Sequence, residues 1–451
     1  LALPAGLGKT ADALAPLRVE WSESDTPQWR LEYDDRLRAA FQGSRAAVHF
    51  GDTPPSLPER PSTRLSGALP VVDLDALAGA TGGSSPGIPL PTPVRVDLAL
   101  AGLDVGRWRV GETDLAGSLR PGDRSLAATG AAQGTIRRPG PQAPWTLRLD
   151  RLDIRPRARE ASPEAAQAAS SGSASPLPAA DIDLIAEEFN VAGQRLGRLQ
   201  LSQVNAAATA GRARLRVDGD WVDLEAQVDR TPDAGADSRL RFDLYTRDAG
   251  RLLRVLGLPE AMRRGDGTLS GRLRWQGAML QPALPSLAGD LEIDLRNGSL
   301  PAIEPGAGRA LGLFSLSVLP RRLGLDFSDV VGKGLSYDQL QGTWQVDAGR
   351  MRTDDLSLTG PSMDLSVRGE TDLVRRRYDQ QVTVTPHLSP ALAFFGGMAG
   401  GPAAAALLFV TRGMLESGVE RLTDFTYHIG GSWEAPDFDL VSTDLTDGAN
   451  D

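Results

Sequence analysis

The sequence contains no cysteine and very little lysine. With Cys 0, disulfide scaffolds, cysteine-based zinc sites and thiol nucleophiles are excluded. Only Lys9 and Lys333 accompany the dispersed arginines, and the formal net charge is -10. Nucleic-acid-binding proteins normally present a basic face, so we predict no nucleic acid partner.

Aromatic residues are also few, at 5%, whereas the chain has Gly 50 and Pro 32. Glycine and proline together make up about 18% of the sequence, against a usual ~12%, which predicts many turns and few long helices. The 451 residues correspond to about three domains of ~150 residues. Because the chain begins at Leu1 without a signal-like segment, we expect it to be part of a longer protein, with room upstream for any signal or anchor.

Most of the chain shows the two-residue alternation that is typical of β-strands with one buried face. Polar residues separate the apolar ones, which indicates an antiparallel sheet with one apolar and one solvated face. The sequence therefore predicts a mainly β fold, with an extended antiparallel sheet. Clear examples are Leu98/Leu100, Trp145/Leu147/Leu149, Leu215/Val217, Leu291/Ile293/Leu295, Trp344/Val346, Met363/Leu365/Val367, Val382/Val384 and Phe425/Tyr427/Ile429.

Two other segments depart from this pattern. Asp248 is placed to cap a short helix near 249–264. The Ala/Ser/Pro-rich segment Arg157–Ala180 has almost nothing to bury, so we expect a disordered insertion that a short Gly/Ser bridge can replace. These features divide the chain into 1–155, the insertion 156–180, 181–300 and 301–451.

An internal repeat is visible at a spacing of 86 residues. Its first copy contains Asp97, Leu98 and Leu115, which match Asp183, Leu184 and Leu201 in the second. A repeated supersecondary unit favours an extended β structure over a compact enzyme.

Each motif that suggests catalysis lacks a feature that the chemistry requires. Gly83-Ser84-Ser85-Pro86-Gly87 has the spacing of a nucleophile elbow, but Pro86 has no N–H for an oxyanion hole. No pair of the three histidines has metal-ligand spacing, and His428 is expected on the polar side of its strand. We therefore predict no catalytic residue, no metal site, no cofactor and no enzymatic activity, with a hydrolase as a distant alternative.

The segment Leu388–Thr411 has no charged residue. Its central glycines and Pro402 leave two apolar halves that are each too short to span a bilayer of ~30 Å, so we predict an apolar helical hairpin near 388–415. Two interpretations remain open: the hairpin covers the edge of the protein's own sheet, or it inserts shallowly into a membrane. In the second case the membrane-contact residues are Leu392, Phe394, Phe395, Leu407, Leu408 and Phe409.

The region 248–440 resembles the C-terminal part of the YhdP family, within the AsmA-like superfamily. The most specific run is Gly308–Gly342, which includes Leu311-Gly312-Leu313-Phe314-Ser315-Leu316 and Asp326-Phe327-Ser328-Asp329. The resemblance implies a lipid transfer protein of the Gram-negative periplasm, anchored in the inner membrane by an upstream helix. It also implies a sheet curved into a β-groove that carries phospholipid between the inner and outer membranes and so supports outer-membrane integrity. The implied partners are phospholipids and the inner leaflet of the outer membrane or a protein associated with it.

Aliphatic alternation and the lack of catalytic motifs agree with such a groove. Acyl chains need apolar walls, and each buried CH₂ contributes about 0.8 kcal/mol. An ordinary β-sandwich would give the same pattern, so a periplasmic scaffold acting through protein contacts in outer-membrane assembly or polysaccharide export is the alternative. The candidate lipid-contact residues are Leu269, Leu273, Leu291, Ile293, Leu295, Trp344, Val346, Leu365, Val367, Val382 and Val384.

Overall fold

The computed structural model describes twelve stretches of the chain. They are 15–22, 27–74, 93–140, 142–157, 181–207, 210–231, 237–258, 261–277, 282–300, 335–387, 422–433 and 435–446. The predicted apolar hairpin, most of the predicted insertion and most of the run Gly308–Gly342 lie outside the described residues.

The chain forms two compact units. Unit 1 consists of Leu1–Asp220, Gln227–Ala236 and Gly277–Gln281, and unit 2 consists of Trp221–Ala226, Asp237–Gln276 and Pro282–Asp451. Strand β17 (Val222–Arg230) contributes residues to both. Both units are built almost entirely from β-strands, so the predicted mainly β fold is confirmed.

Unit 1 contains the strands that precede β17. They are β1 (Leu17–Ser22), β2 (Gln28–Tyr33), β3 (Leu37–Gln42), β4 (Arg45–Phe50), β5 (Ser62–Leu69), β6 (Val72–Asp73), β7 (Val94–Leu100), β8 (Leu103–Val105), β9 (Trp108–Val110), β10 (Thr113–Arg120), β11 (Asp123–Gly130), β12 (Ala132–Arg138), β13 (Trp145–Pro156), β14 (Ile182–Val191), β15 (Gln194–Ala207) and β16 (Ala210–Asp218).

Most strand pairs of unit 1 are antiparallel, as predicted, but four are parallel. The parallel pairs are β4–β5, β5–β7, β6–β8 and β13–β14. The sheet is therefore mixed. A parallel pair needs a connection that returns along the whole strand. Alternation within the strands does not show which pairs are parallel.

The parallel pair β13–β14 corrects our expectation for the segment Arg157–Ala180. β13 ends at Pro156, whereas Ile182 pairs with Trp145 at the opposite end of that strand. The connection must span about 36 Å at ~3.3 Å per residue, which needs at least about 11 extended residues. A short bridge cannot cover this distance, so the segment is required as a connector whatever its own conformation.

The two copies of the sequence repeat have equivalent pairings. Leu98 pairs with Leu115 in the first copy, and Leu184 pairs with Leu201 in the second. In each copy the first strand also pairs in parallel with an earlier strand, β7 with β5 and β14 with β13. The repeat is therefore a structural unit, formed by one parallel pairing followed by an antiparallel one.

Unit 2 is an antiparallel meander in which each strand from β18 to β26 pairs with the next. The strands are β18 (Asp237–Thr246), β19 (Arg263–Gln276), β20 (Ala288–Leu300), β21 (Leu335–Asp347), β22 (Arg350–Thr359), β23 (Met363–Asp372), β24 (Arg377–Pro386), β25 (Leu422–Gly431) and β26 (Pro436–Thr446). A short 3-10 helix, Leu284–Ser286, precedes β20.

Helix α1 (Ala249–Val255) lies between β18 and β19, within the range that the sequence predicts. The Asp248 side chain accepts a hydrogen bond from the Arg251 backbone N–H at 2.8 Å, which confirms the predicted N-cap. Ala249 and Leu253 pack against the core of unit 2. The helix therefore covers one end of that sheet.

Candidate functional site

A row of apolar residues crosses thirteen strands of unit 1. Directly paired residues project from the same face of a sheet. The row, here called the aliphatic row, consists of Val19, Leu31, Ala39, Val48, Leu65, Val96, Gly117, Leu126, Ile136, Leu147, Leu184, Leu201 and Leu215. The face that bears this row is the apolar face of unit 1.

Most of the aliphatic row is only half-buried. Ala39 and Val96 are buried, whereas the leucines and the isoleucine from β10 onwards keep part of their surface accessible. Residues in a packed core are almost completely enclosed. The apolar face of unit 1 therefore presents aliphatic surface that a ligand can reach.

The eleven lipid-contact residues predicted from the sequence all belong to unit 2. Leu269 pairs with Ile293, Leu291 with Trp344, Val367 with Val382, and Leu365 with Val384. Leu273 and Val346 both pair with Gly289, and Leu295 connects to Leu365 through Leu340 and Leu358. The strand register thus places all eleven on one face.

Burial divides these eleven residues into two groups. Leu269, Leu273, Leu291 and Trp344, on β19 to β21, are half-buried. The other seven are buried, and Val367 and Val382 are 2% and 0% exposed. Six of the seven belong to the hydrophobic core of unit 2. Contact with lipid stays a prediction for all eleven, and the half-buried four have the accessible surface that it requires.

Tyr337 closes the core of unit 2 near helix α1. Its hydroxyl donates a hydrogen bond to the Met262 sulfur at 3.0 Å, and a Cβ at Gly298 would lie 2.1 Å from that hydroxyl oxygen. Only glycine therefore fits at 298 with the tyrosine in place. Burial raises the pKa of Tyr337, because the phenolate is poorly solvated there.

The accessible face of unit 1 is absent from the candidate sites that the sequence predicts, which all lie in unit 2 or in the segment Leu388–Thr411. Its alternation was visible at Leu147 and Leu215, but alternation does not distinguish an enclosed face from an accessible one. A further sequence signal is the repeat, in which Leu98 matches Leu184 and Leu115 matches Leu201. In the structure Leu98 pairs with Leu115, and Leu184 pairs with Leu201. This pairing extends the repeat into a continuous surface.

In both units the face opposite the apolar one carries exposed ion pairs. His428 Nε2 lies 2.9 Å from Asp379 Oδ1, which confirms the predicted polar orientation of His428. In unit 1, Arg148 pairs with Asp183 at 2.9 Å. Each exposed pair contributes only about 0–1 kcal/mol, so these faces mainly keep the sheets solvated.

One ion-pair network in unit 1 is more deeply buried. The Asp104 side chain is 3% exposed and accepts hydrogen bonds from Arg109 Nε at 2.6 Å and Arg109 Nη2 at 2.8 Å. Arg157 lies 3.3 Å from Asp104 and 2.9 Å from Asp73. Hydrogen bonding to Arg109 holds the pKa of Asp104 below its usual range, against the opposing effect of burial. The network joins β6, β8, β9 and the residue after β13.

The described residues contain no group of three or more acidic or histidine side chains that is arranged to hold a metal ion. No helix among them is both long and apolar enough to cross a membrane. The predicted membrane-contact residues, from Leu392 to Phe409, lie outside this part of the chain.

Comparison with protein families and with solved structures gives one match. The family model described as "YhdP protein" matches residues 1–438. The chain belongs to the YhdP family. No solved structure matches this YhdP-family chain.

A curated relative is the intermembrane phospholipid transporter YhdP of Escherichia coli (strain K12). It is 27% identical over 259 residues, which cover 55% of this chain and 20% of the relative. The matched region thus spans about a fifth of the length of that protein.

Proposed function

We propose that this chain transports phospholipid between membranes by holding acyl chains on the apolar face of unit 1. The observation that carries the proposal is the aliphatic row, which continues without interruption across thirteen strands and is mostly half-buried. Each CH₂ group held against it contributes about 0.8 kcal/mol. Because neighbouring aliphatic residues are alike, a chain can move along the row without losing a specific contact.

The relative from Escherichia coli supports this proposal, since its name states intermembrane phospholipid transport. We propose that the chain acts in the periplasm, as part of a longer protein anchored in the inner membrane. Its role is then to bind and pass on lipid rather than to catalyse a reaction. Within unit 2, half-buried Leu291 and Trp344 offer a second accessible apolar surface of the same kind.

Site-specific photo-cross-linking tests the proposal in cells. Cross-linkers at Leu126 and Ile136 on the apolar face are expected to capture phospholipid. The matched controls are the adjacent Ala127 and Thr135, which are exposed and project from the opposite face. Equal capture at all four positions contradicts the proposal, and capture of protein alone supports a scaffold.

We also propose that the segment Leu388–Thr411 contacts a membrane. The strands that flank it, β24 and β25, are paired with Val384 opposite Phe425, so the segment leaves and rejoins the unit 2 sheet at the same end. Flotation of the purified chain with liposomes is expected to decrease in the double variant Phe394→Asp/Leu408→Asp. Equal flotation of both proteins, or none by the parent, indicates that the segment only covers protein.

A further inference from the structure

An arginine at the end of β17 projects from the apolar face of unit 1. Arg230 is the last residue of β17 and lies in the part of that strand that belongs to unit 1. The residue before it, Asp229, forms an ion pair with Arg212 on the solvated face of β16. Successive side chains of a strand project from opposite faces, so Arg230 lies on the same face as Leu215 of the aliphatic row.

The surroundings of Arg230 leave its guanidinium unsatisfied. The side chain is half-buried, and its Nε atom is enclosed without a hydrogen-bond partner. No ion pair of Arg230 occurs within the described stretches. Buried polar groups in native proteins are nearly always hydrogen-bonded, and an unpaired buried charge destabilises the fold. The enclosed Nε therefore indicates a ligand that supplies the missing acceptor.

A second polar side chain on this face also lacks a partner. Gln203 of β15 is 5% exposed, and its amide makes no hydrogen bond to a described residue. It pairs with Ala213, which is two residues from Leu215 and so projects from the apolar face. Arg230 lies two strands away from Gln203, at about 10–12 Å between Cα atoms. One small anionic group can therefore contact both side chains.

The surface next to Gln203 and Arg230 indicates which kind of anion fits. The next row along the strands is the part of the aliphatic row formed by Leu184, Leu201 and Leu215, which are half-buried. These three leucines are here called the leucine wall. Beside Gln203, half-buried Ile182 widens this apolar surface. A polar end followed by aliphatic side chains matches a ligand with an anionic head and an aliphatic tail.

We propose that Arg230 and Gln203 bind the phosphate of a phospholipid whose acyl chains lie on the leucine wall. The guanidinium can donate two parallel hydrogen bonds to phosphate oxygens, and the Gln203 amide N–H can donate a third. This inference rests on the proposed function, because it assigns the headgroup position on the same apolar face. It adds a preference for phosphate-bearing lipids over uncharged ones.

The test compares two lipids with identical short tails, dihexanoyl phosphatidylglycerol and dihexanoyl glycerol, by isothermal titration with the purified chain. In Arg230→Gln and in Gln203→Leu, the phospholipid is expected to bind about tenfold or more weakly, since each variant removes a hydrogen bond to a charged group. Binding of dihexanoyl glycerol is expected to stay unchanged. Arg230→Lys keeps the charge without the Nε donor and is expected to retain part of the phospholipid affinity.

The matched control is Arg214→Gln on the neighbouring strand. Arg214 is exposed and lies between Ala213 and Leu215, so it projects from the opposite face. This variant removes the same charge and is expected to leave both affinities unchanged. Thermal denaturation provides a second readout. Because Nε of Arg230 has no internal partner, Arg230→Gln is expected to keep or raise the melting temperature, whereas a structural role would lower it.

If Arg230→Gln and Gln203→Leu leave the phospholipid affinity unchanged or weaken both lipids equally, the headgroup inference is wrong while the proposed function stands. The same conclusion follows if Arg214→Gln has an equal effect. If inorganic phosphate alone binds the parent as tightly as the phospholipid, the pair is a free-phosphate site and the inference also fails. If the parent binds neither lipid, both the inference and the proposed function are contradicted.

Discussion

Units 1 and 2 carry the same alternating pattern but differ in how far they bury it. In unit 1, Leu126, Leu147 and Leu184 remain half-buried on the apolar face. In unit 2, the corresponding face includes Val382 and Val384, which are fully enclosed. A sheet face that looks alike in sequence is therefore partly accessible in unit 1, where Leu149 and Leu199 beside the aliphatic row are buried, and mainly core in unit 2.

The units also differ in topology. Unit 2 pairs each strand antiparallel to the next, so each connection joins strand ends at the same end of the sheet, as does the turn at Ala348 and Gly349 between β21 and β22. Unit 1 includes parallel pairs, whose connections must return along a strand. The parallel pairs of unit 1 therefore need a minimum connection length, whereas antiparallel neighbours in unit 2 can be joined by a short turn.

A charge on each apolar face tests the difference in burial most directly. Val367→Asp buries an unpaired carboxylate and is expected to destabilise unit 2 by more than about 4 kcal/mol. Leu147→Asp, on the accessible face, is expected to cost only about 1–2 kcal/mol. Chemical denaturation measures both, and equal losses would contradict the comparison.

Shortening the connector between β13 and β14 tests the difference in topology. Replacing residues 158–180 by about four Gly/Ser residues cannot span ~36 Å, so the β13–β14 pairing is expected to be lost and unit 1 destabilised by several kcal/mol. A Gly/Ser connector of about 20 residues is the matched control and is expected to preserve stability. Thermal unfolding and protease sensitivity measure the result, and a stable short-connector variant would show that the pairing is wrong.

The network around Asp104 is expected to make unit 1 sensitive to acid. The pKa of Asp104 is lowered in the folded state, so its stabilisation is present above about pH 4 and is lost as the pH falls through the folded pKa. Asp104→Asn is expected to cost about 2–3 kcal/mol at neutral pH and to flatten this acid dependence. Asp183→Asn, which affects an exposed ion pair, is the control, and an equal loss in both variants would contradict a special role for the network.

Tyr337 is expected to give unit 2 the opposite pH dependence. Its pKa is raised in the folded state, so its contribution is present below about pH 10 and is lost as the pH rises above that value. Tyr337→Phe is expected to cost about 1 kcal/mol or less at neutral pH and to reduce alkaline destabilisation. Tyr245→Phe alters an exposed tyrosine and serves as the control. If Tyr337→Phe leaves the loss of unfolding free energy at alkaline pH unchanged, this role is contradicted.

The sequence by itself determined the class of fold, the polar orientation of His428, the cap at Asp248 and the repeat containing Leu98 and Leu184. These features depend on local periodicity and capping, which short stretches of sequence express directly. The family resemblance rested on specific runs such as Leu311–Leu316 and was confirmed by the match over residues 1–438.

Only the tertiary structure decided which apolar residues are accessible and which strands lie parallel. Leu147 and Val367 belong to similar alternating segments, but their burial depends on what encloses each face. Arg124 and Arg138 are 14 residues apart in the sequence and become neighbours only because β11 and β12 pair in one register. Alternation within one strand shows which of its residues share a face, but the partner strand and the enclosure of that face depend on contacts between distant parts of the chain.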